Sequence, residues 1–241
     1  MASRELVTFQ AVILDWRGTL VTTLTDEAWV RAAFALLNRA VGAAEVGEIV
    51  SAIHAANGPG YRLDGPGVDA DASLHRWTYL EVFADAGLSK ALGEALYAVE
   101  SDPRYNLFST DAACTLRELH EHGIRIAVLS DIHFDLRPAF ADAGMAELVD
   151  VFTLSFEQGL QKPDPRMFAR TLTALGISAE AALMVGDRSG PDGAAVEHGI
   201  TTLLLPPLRS VEDRRLHRVM QLCMGETTGS PGGYRPGGAL P

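Results

Sequence analysis

Between residues 110 and 224, short apolar runs of strand length alternate with helical patterns. The reading is helix 110–122, strand 125–130, helix 135–144, strand 151–155, helix 164–175, strand 182–186, helix 191–198, strand 201–205 and helix 210–224. Runs such as Ile126-Ala127-Val128-Leu129 and Ala182-Leu183-Met184-Val185 are apolar at every position, not at every second one. A strand of that kind is buried on both faces, which calls for a parallel sheet with helices on either side. A further apolar run, Ala11-Val12-Ile13-Leu14, marks a strand over 9–15.

More than a hundred positions separate that first strand from the one at 125–130, and the intervening chain reads as helical. Trp29, Val30, Ala33, Phe34 and Leu37 recur at helical spacing, as do apolar residues over 46–56, 74–86 and 88–99. A Gly/Pro/Asp-rich stretch at 57–71 divides these helices and is expected to be mobile or to face a substrate. The expected fold is therefore α/β: a Rossmann-like three-layer α/β/α core formed by 1–21 and 105–224, with an inserted helical cap over 22–104. Residues 225–241 are rich in Gly, Pro, Thr and Ser and are expected to form a disordered tail.

With 241 residues, 47% of them hydrophobic, the chain can bury a full core. Its net charge of −11 opposes long-range approach to nucleic acid or an anionic membrane, so neither is expected as a partner. An anionic ligand must then be met by local cations. Lysine occurs only as Lys90 and Lys162, which gives Lys162 unusual weight. Cys114 and Cys223 suggest neither a disulfide frame nor a zinc site. The first ten residues lack an apolar core followed by a cleavage site, and no stretch approaches the ~20 apolar residues of a membrane span. A soluble, cytoplasmic protein is expected.

Polar signals follow the strands. Asp15-Trp16-Arg17-Gly18-Thr19 follows the first strand, Ser130-Asp131 the second, Lys162-Pro163 comes after the run at 151–155, and Gly186-Asp187 ends the run at 182–186. The C-terminal edge of an open α/β sheet is where such folds place their chemistry. In this order, the signals resemble the motifs of the haloacid dehalogenase-like hydrolase superfamily, over nearly everything up to about residue 208. In its phosphatases, an Asp-x-Asp-x-Thr motif is followed by a Ser or Thr, a Lys, and a Gly-Asp with a second Asp. The matching positions here are Asp15, Thr19, Ser130, Lys162, Asp187 and Asp192.

The resemblance implies that Asp15 is a nucleophile forming an aspartyl-phosphate, which splits one difficult hydrolysis into two easier steps. Lys162 would pair with phosphate oxygens, while Ser130, Thr19 and the backbone near Trp16 would donate hydrogen bonds. Mg²⁺ would be held by Asp15, Asp187 and the backbone carbonyl of Arg17, with Asp192 as a further ligand or as an orienting group for Lys162. Each residue has a blander reading: Asp15 or Asp187 as a helix cap, Ser130 as a turn residue, Asp192 as a first-turn acid after Pro191.

The departure is Arg17, which stands where the phosphatases carry their second Asp. A guanidinium with a pKa above about 12 cannot protonate a leaving alcohol or activate water. Losing such a group costs on the order of 10²–10⁴-fold in rate. Three functions are open. One is a phosphatase acting on a small phosphomonoester, with Arg17 stabilising charge or another acid drawn from Asp64, His75 or His133. A second is dehalogenase- or phosphonatase-like cleavage, since those relatives also lack the second Asp. Against phosphonate cleavage stands the cap's only lysine, Lys90, late in the cap and expected at a helix start; against metal-free dehalogenation stands Gly186-Asp187. A third is non-catalytic binding of a phosphorylated ligand or a protein. Trp29, Tyr61, Arg62, Arg76, Trp77 and Tyr79 are the cap side chains that could meet a substrate; only Tyr61 and Arg62 rise above the usual core reading of helical aromatics. Asp131 and Trp16 complete the expected substrate contacts.

Overall fold

In the computed structural model, which describes residues 9–224, five parallel strands form one sheet in the order β3-β2-β1-β4-β5. The strands are β1 (Ala11–Leu14), β2 (Arg125–Ser130), β3 (Val151–Leu154), β4 (Ala182–Gly186) and β5 (Thr201–Leu204). β1 lies at the centre, with Leu14 level with Val128 on one side and Val185 on the other. All four residues of β1 are buried, as the continuous apolar run requires.

Alternation along the strands builds two separate cores. Val12, Leu14, Ile126, Val128, Leu183 and Val185 point to one face, where they pack with residues of α5 (Ala112–Glu121), α6 (Arg137–Asp142) and α9 (His217–Met224). Ala11, Ile13, Ala127, Leu129, Ala182 and Met184 point to the other, against Met167, Phe168 and Leu175 of α8 (Pro165–Leu175). The one-turn helix α7 (Ser155–Gln158) follows β3 directly. The expected three-layer α/β architecture is thus the observed one.

The insert folds as α1 (Asp26–Leu36), α2 (Ala43–Asn57), α3 (Ala72–Asp85) and α4 (Lys90–Glu100). Side-chain caps set three of the starts. Thr25 accepts from the Ala28 amide, Asp71 from those of Ser73 and Leu74, and Ser89 from that of Leu92, each meeting a donor that a helix N-terminus leaves unpaired. Val30, Phe34, Ile53, Phe83 and Leu96 gather into an apolar core of the insert's own. The stretch between α2 and α3 holds two short 3₁₀ turns, Arg62–Asp64 and Val68–Ala70.

Two expected helices differ. The one over 191–198 is a 3₁₀ turn at Gly193–His198, because the Asp192 carboxylate turns back to the amides of Asp187 and Arg188. The one over 210–224 is reduced to α9. Residues ahead of it are drawn across the turn after β1, where the Leu208 amide and the Arg215 guanidinium both donate to the Gly18 carbonyl, at 2.8 and 3.1 Å. Among the described residues, no helix is long and apolar enough to cross a membrane. The tail expected at 225–241 lies outside them.

Candidate active site

Strand order fixes the place. The sheet is extended one way from β1 to β2 and the other way from β1 to β4, so connections diverge at the C-terminal ends of these strands and leave a crevice there. Asp15 follows β1, Ser130 ends β2 and Asp187 follows β4.

Lys162 is the hub. Its side chain is buried, and its Nζ donates to Asp15 Oδ1 at 2.7 Å, to Asp192 Oδ1 at 2.6 Å and to the Leu129 carbonyl at 3.1 Å. All three of its protons are therefore used. Burial alone would lower this amine, yet Asp15, Asp192 and Asp131 hold it above the usual lysine range. It is a fixed cation at the centre of an acidic crevice.

Carboxylates of Asp15, Asp187 and Asp192 offer oxygens that lie within 4.8 Å of one another. Burial pushes Asp15 up to about 6; Lys162 pulls it back only in part, and Asp192 pushes it further. Asp187 is likewise raised, first by burial and then by Asp192. Such a group of hard oxygen donors, carrying more buried negative charge than one ammonium offsets, fits a divalent cation such as Mg²⁺. Asp15 Oδ2 and the half-buried Asp187 carboxylate are the oxygens that Lys162 leaves uncommitted. Asp192, read from the sequence as a further ligand or as an orienting group for Lys162, has both oxygens engaged: Oδ1 accepts from Lys162, and Oδ2 accepts from the Asp187 and Arg188 amides at 3.1 and 2.9 Å. It orients the ammonium and the turn after β4.

Close backbone approach makes this geometry possible. Gly18 has φ +77°, and any side chain there would collide with the Asp187 carboxylate; at Gly186 a side chain would strike Asp192. Thr19 Oγ1 lies 3.5 Å from Asp15 and 3.4 Å from Asp187, between the two acids. Ser130 is buried at the end of β2. Asp131 Oδ1 accepts from the Lys162 amide at 2.8 Å and so fixes the lysine's backbone.

Other expected site residues are elsewhere. Trp16 is wholly buried against Phe108 and Phe140, so its indole is core and only its backbone remains for ligand contact. Arg17 turns away from Asp15: its guanidinium is ion-paired to the Glu100 carboxylate and donates to the Glu100 carbonyl at 2.8 Å. As a metal contact, only its carbonyl remains. Arg62 is paired through Nη1 with Asp85 of α3 at 2.7 Å, both side chains staying exposed. Arg76 pairs with Glu94, Trp77 is exposed, and Lys90 is an exposed residue at the start of α4 behind the Ser89 cap. Tyr61 does line a cavity of ≈ 720 Å³, together with Trp29, Asp64, Tyr79, Glu100 and Arg17. That cavity reaches the first motif at Arg17, not at Asp15.

Three residues that sequence reasoning passed over belong to the same neighbourhood. Arg188, directly after Gly186-Asp187, extends to Asp131 at 3.4 Å and is about half exposed, so it can meet an anion. Arg215 binds the Gly18 and Thr19 carbonyls at 3.1 and 2.6 Å and holds the first-motif turn from behind. Asp69 comes from the insert, where the Ser155 hydroxyl donates to its carbonyl at 2.6 Å and also serves Ile132 next to Asp131.

Residues 9–198 match the family model described as haloacid dehalogenase-like hydrolase. The chain belongs to that family. It is 32% identical over 140 residues to a phosphoserine phosphatase of Thermus thermophilus, covering 54% of this chain and 55% of that protein. It is also 32% identical over 123 residues to a ribulose-1,5-bisphosphate 5-phosphatase of Halopiger xanaduensis, covering 50% and 51%. The chain thus spans about half the length of these curated relatives. A solved HAD phosphatase from Thermococcus onnurineus shares the fold with a TM-score of 0.59 at 21% identity, over 90% of this chain and 99% of that one.

Proposed function

We propose that this haloacid dehalogenase-like hydrolase is a phosphatase that cleaves a small phosphomonoester through a phosphorylated Asp15, with residues 22–104 acting as a cap over the site. The observation that carries this reading is the Lys162 bridge between Asp15 and Asp192, with the Asp187 carboxylate in the same oxygen cluster. Curated relatives named as phosphatases agree with it.

Asp15 is ionised above about pH 6 and can direct an oxygen to phosphorus, forming an acyl phosphate while the alcohol oxygen leaves. Lys162, held beside it, neutralises charge on the transferred group, and Arg188 at the rim receives the incoming anion. Mg²⁺ on Asp15, Asp187 and the Arg17 carbonyl would supply further charge neutralisation when bound. The Asp187 carboxylate after Gly186 favours this over metal-free halide release.

One observation favours a second reading, phosphate-ligand binding without turnover: Arg17 is committed to Glu100 and contributes no proton chemistry. A panel of phosphorylated metabolites and aryl phosphates, run with Mg²⁺ on wild type beside Asp15→Asn, separates the two. Phosphate release abolished by Asp15→Asn is expected. Saturable binding with no release from any ester would leave the binding reading, and metal-independent halide release from a haloacid would move the chain to dehalogenation.

A further inference from the structure

The phosphatase reading leaves a proton unaccounted for, since position 17 holds an arginine whose side chain faces away from Asp15. Given that reading, we infer that Asp69, carried into the site by the insert, is the acid–base residue that the first motif lacks.

Asp69 is tied to the core next to the motif loops. Ser155 Oγ donates to its carbonyl at 2.6 Å, while the Ile132 amide donates to the same hydroxyl at 2.7 Å, so Asp69 is fixed against the loop that follows Ser130 and Asp131. Its side chain is a quarter exposed, buried enough to be held and open enough to meet a leaving group. Its carboxyl is within electrostatic reach of Arg17, Asp131 and Arg188 of the core and of Glu100 of α4, the two acids pushing its pKa up and the two arginines pulling it down. The same Asp131 and Arg188 flank the Lys162 hub. Asp69 therefore shares its electrostatic neighbourhood with the crevice at Asp15.

The nearest titratable neighbours leave its proton alone. His75 of α3 lies 3.6 Å away, beyond hydrogen-bonding distance, and is stacked on His133 of the core at 3.4 Å between ring centroids and 14° between planes. His133 spends Nε2 on Ser101, leaving a buried Nδ1 with no partner. Burial pushes His75 down to about 3 and His133 to about 2, so both are neutral and cannot hold Asp69 ionised. Asp69, His75 and His133 have the composition of a metal site. However, the lone pairs of two face-to-face rings lie in separate, nearly parallel planes and do not meet at one point, so the arrangement suits the carboxyl group better than a cation. Burial, with Asp131 adding, pushes Asp69 up to about 6, where a carboxyl group can both give and take a proton near neutrality.

The steps balance. As the bond from Asp15 oxygen to phosphorus forms and the phosphorus–alcohol bond breaks, Asp69 passes its proton to the alcohol oxygen and becomes a carboxylate. It then takes a proton from water as the water oxygen bonds to phosphorus and the Asp15–phosphorus bond breaks, which releases phosphate and restores the acid.

A series of substituted phenyl phosphates, from a nitrophenyl ester to an unsubstituted one, tests this with wild type, Asp69→Asn and Asp69→Glu in Mg²⁺. A good leaving group needs no proton, so Asp69→Asn is expected to keep kcat/KM, which reports the steps up to alcohol release, within a few-fold on the nitrophenyl ester and to lose on the order of 10²-fold or more of it on phenyl phosphate, while kcat falls on both because water attack on the acyl phosphate loses its base. Asp69→Glu should recover part of that loss. A uniform loss of kcat/KM across the series, a change confined to KM, or no loss at all overturns the assignment while leaving the phosphatase intact. No phosphate release by wild type from any ester removes the phosphatase reading, and this assignment with it.

Discussion

Glu100, the last residue of α4, closes an ion pair on Arg17, two positions beyond Asp15, the carboxylate that follows β1. The position that in the family's phosphatases provides an acid here joins the insert to the core. Arg17 and Glu100 retain 27% and 18% side-chain exposure, so the pair lies between a surface bridge and a buried one. A double-mutant cycle of Arg17→Met and Glu100→Gln is expected to give a coupling of about 1–3 kcal/mol in urea unfolding. Additive single mutants would mean that the pair contributes nothing to holding the insert.

Stability should respond to metal in a pH-dependent way. Asp15 is raised from 3.8 to about 6, so between those values the native protein keeps a proton that the unfolded chain has released. Without metal, this group makes stability fall as pH rises from about 4 to about 6, and the loss persists above. A cation on Asp15 and Asp187 offsets that loss only where Asp15 is ionised. The rise in Tm on adding Mg²⁺ is therefore expected to be small at pH 4.5 and to grow through about pH 6 to a plateau, and Asp15→Asn should flatten the response. A Mg²⁺ shift independent of pH in wild type would contradict this account.

Glycine 18 offers a local test of the crevice. Gly18→Ala combines a left-handed backbone with a Cβ driven into the Asp187 carboxylate, whereas Gly190→Ala meets nothing within 4 Å. The first is expected to cost about 1–3 kcal/mol and to weaken Mg²⁺ binding at least tenfold by calorimetry. The second should match wild type in both. Equal Mg²⁺ affinity in the two variants would show that Asp187 does not need that approach.

Much of this was legible in the sequence, for physical reasons. Strands apolar at every position need cover on both faces, and helices alternating with them supply it in a parallel sheet, so β1, β2 and β4 and the polar residues at their ends could be placed from the chain alone. Lys162 stood out because lysine is so scarce. What escaped is whatever depends on distant segments meeting. Arg215 reads as one charge in an amphipathic stretch, yet it binds two carbonyls of the first-motif turn. Asp69 reads as one acid in a loop of several, and only its Ser155 anchor distinguishes it from Asp64, which lines the cavity instead. Trp16 stands inside the motif, but its neighbours Phe108 and Phe140, far along the chain, claim it for the core.

The stacked histidines make the joint between insert and core sensitive to acid. Burial depresses His75 from 6.5 to about 3, so below pH 6.5 the unfolded chain takes up a proton that the native protein refuses, and stability falls as pH drops. His75→Phe keeps an aromatic ring in the stack and removes the proton. Between pH 6 and pH 4 the variant should lose less stability than wild type, by about 1 kcal/mol per pH unit, which is close to one proton's worth of slope. Opposing contributions from Asp15 and Asp69 are common to both proteins and cancel in the difference. Parallel curves of unfolding free energy against pH would show that His75 is protonated in the native state as readily as in the unfolded one, and that the stack does not exclude charge.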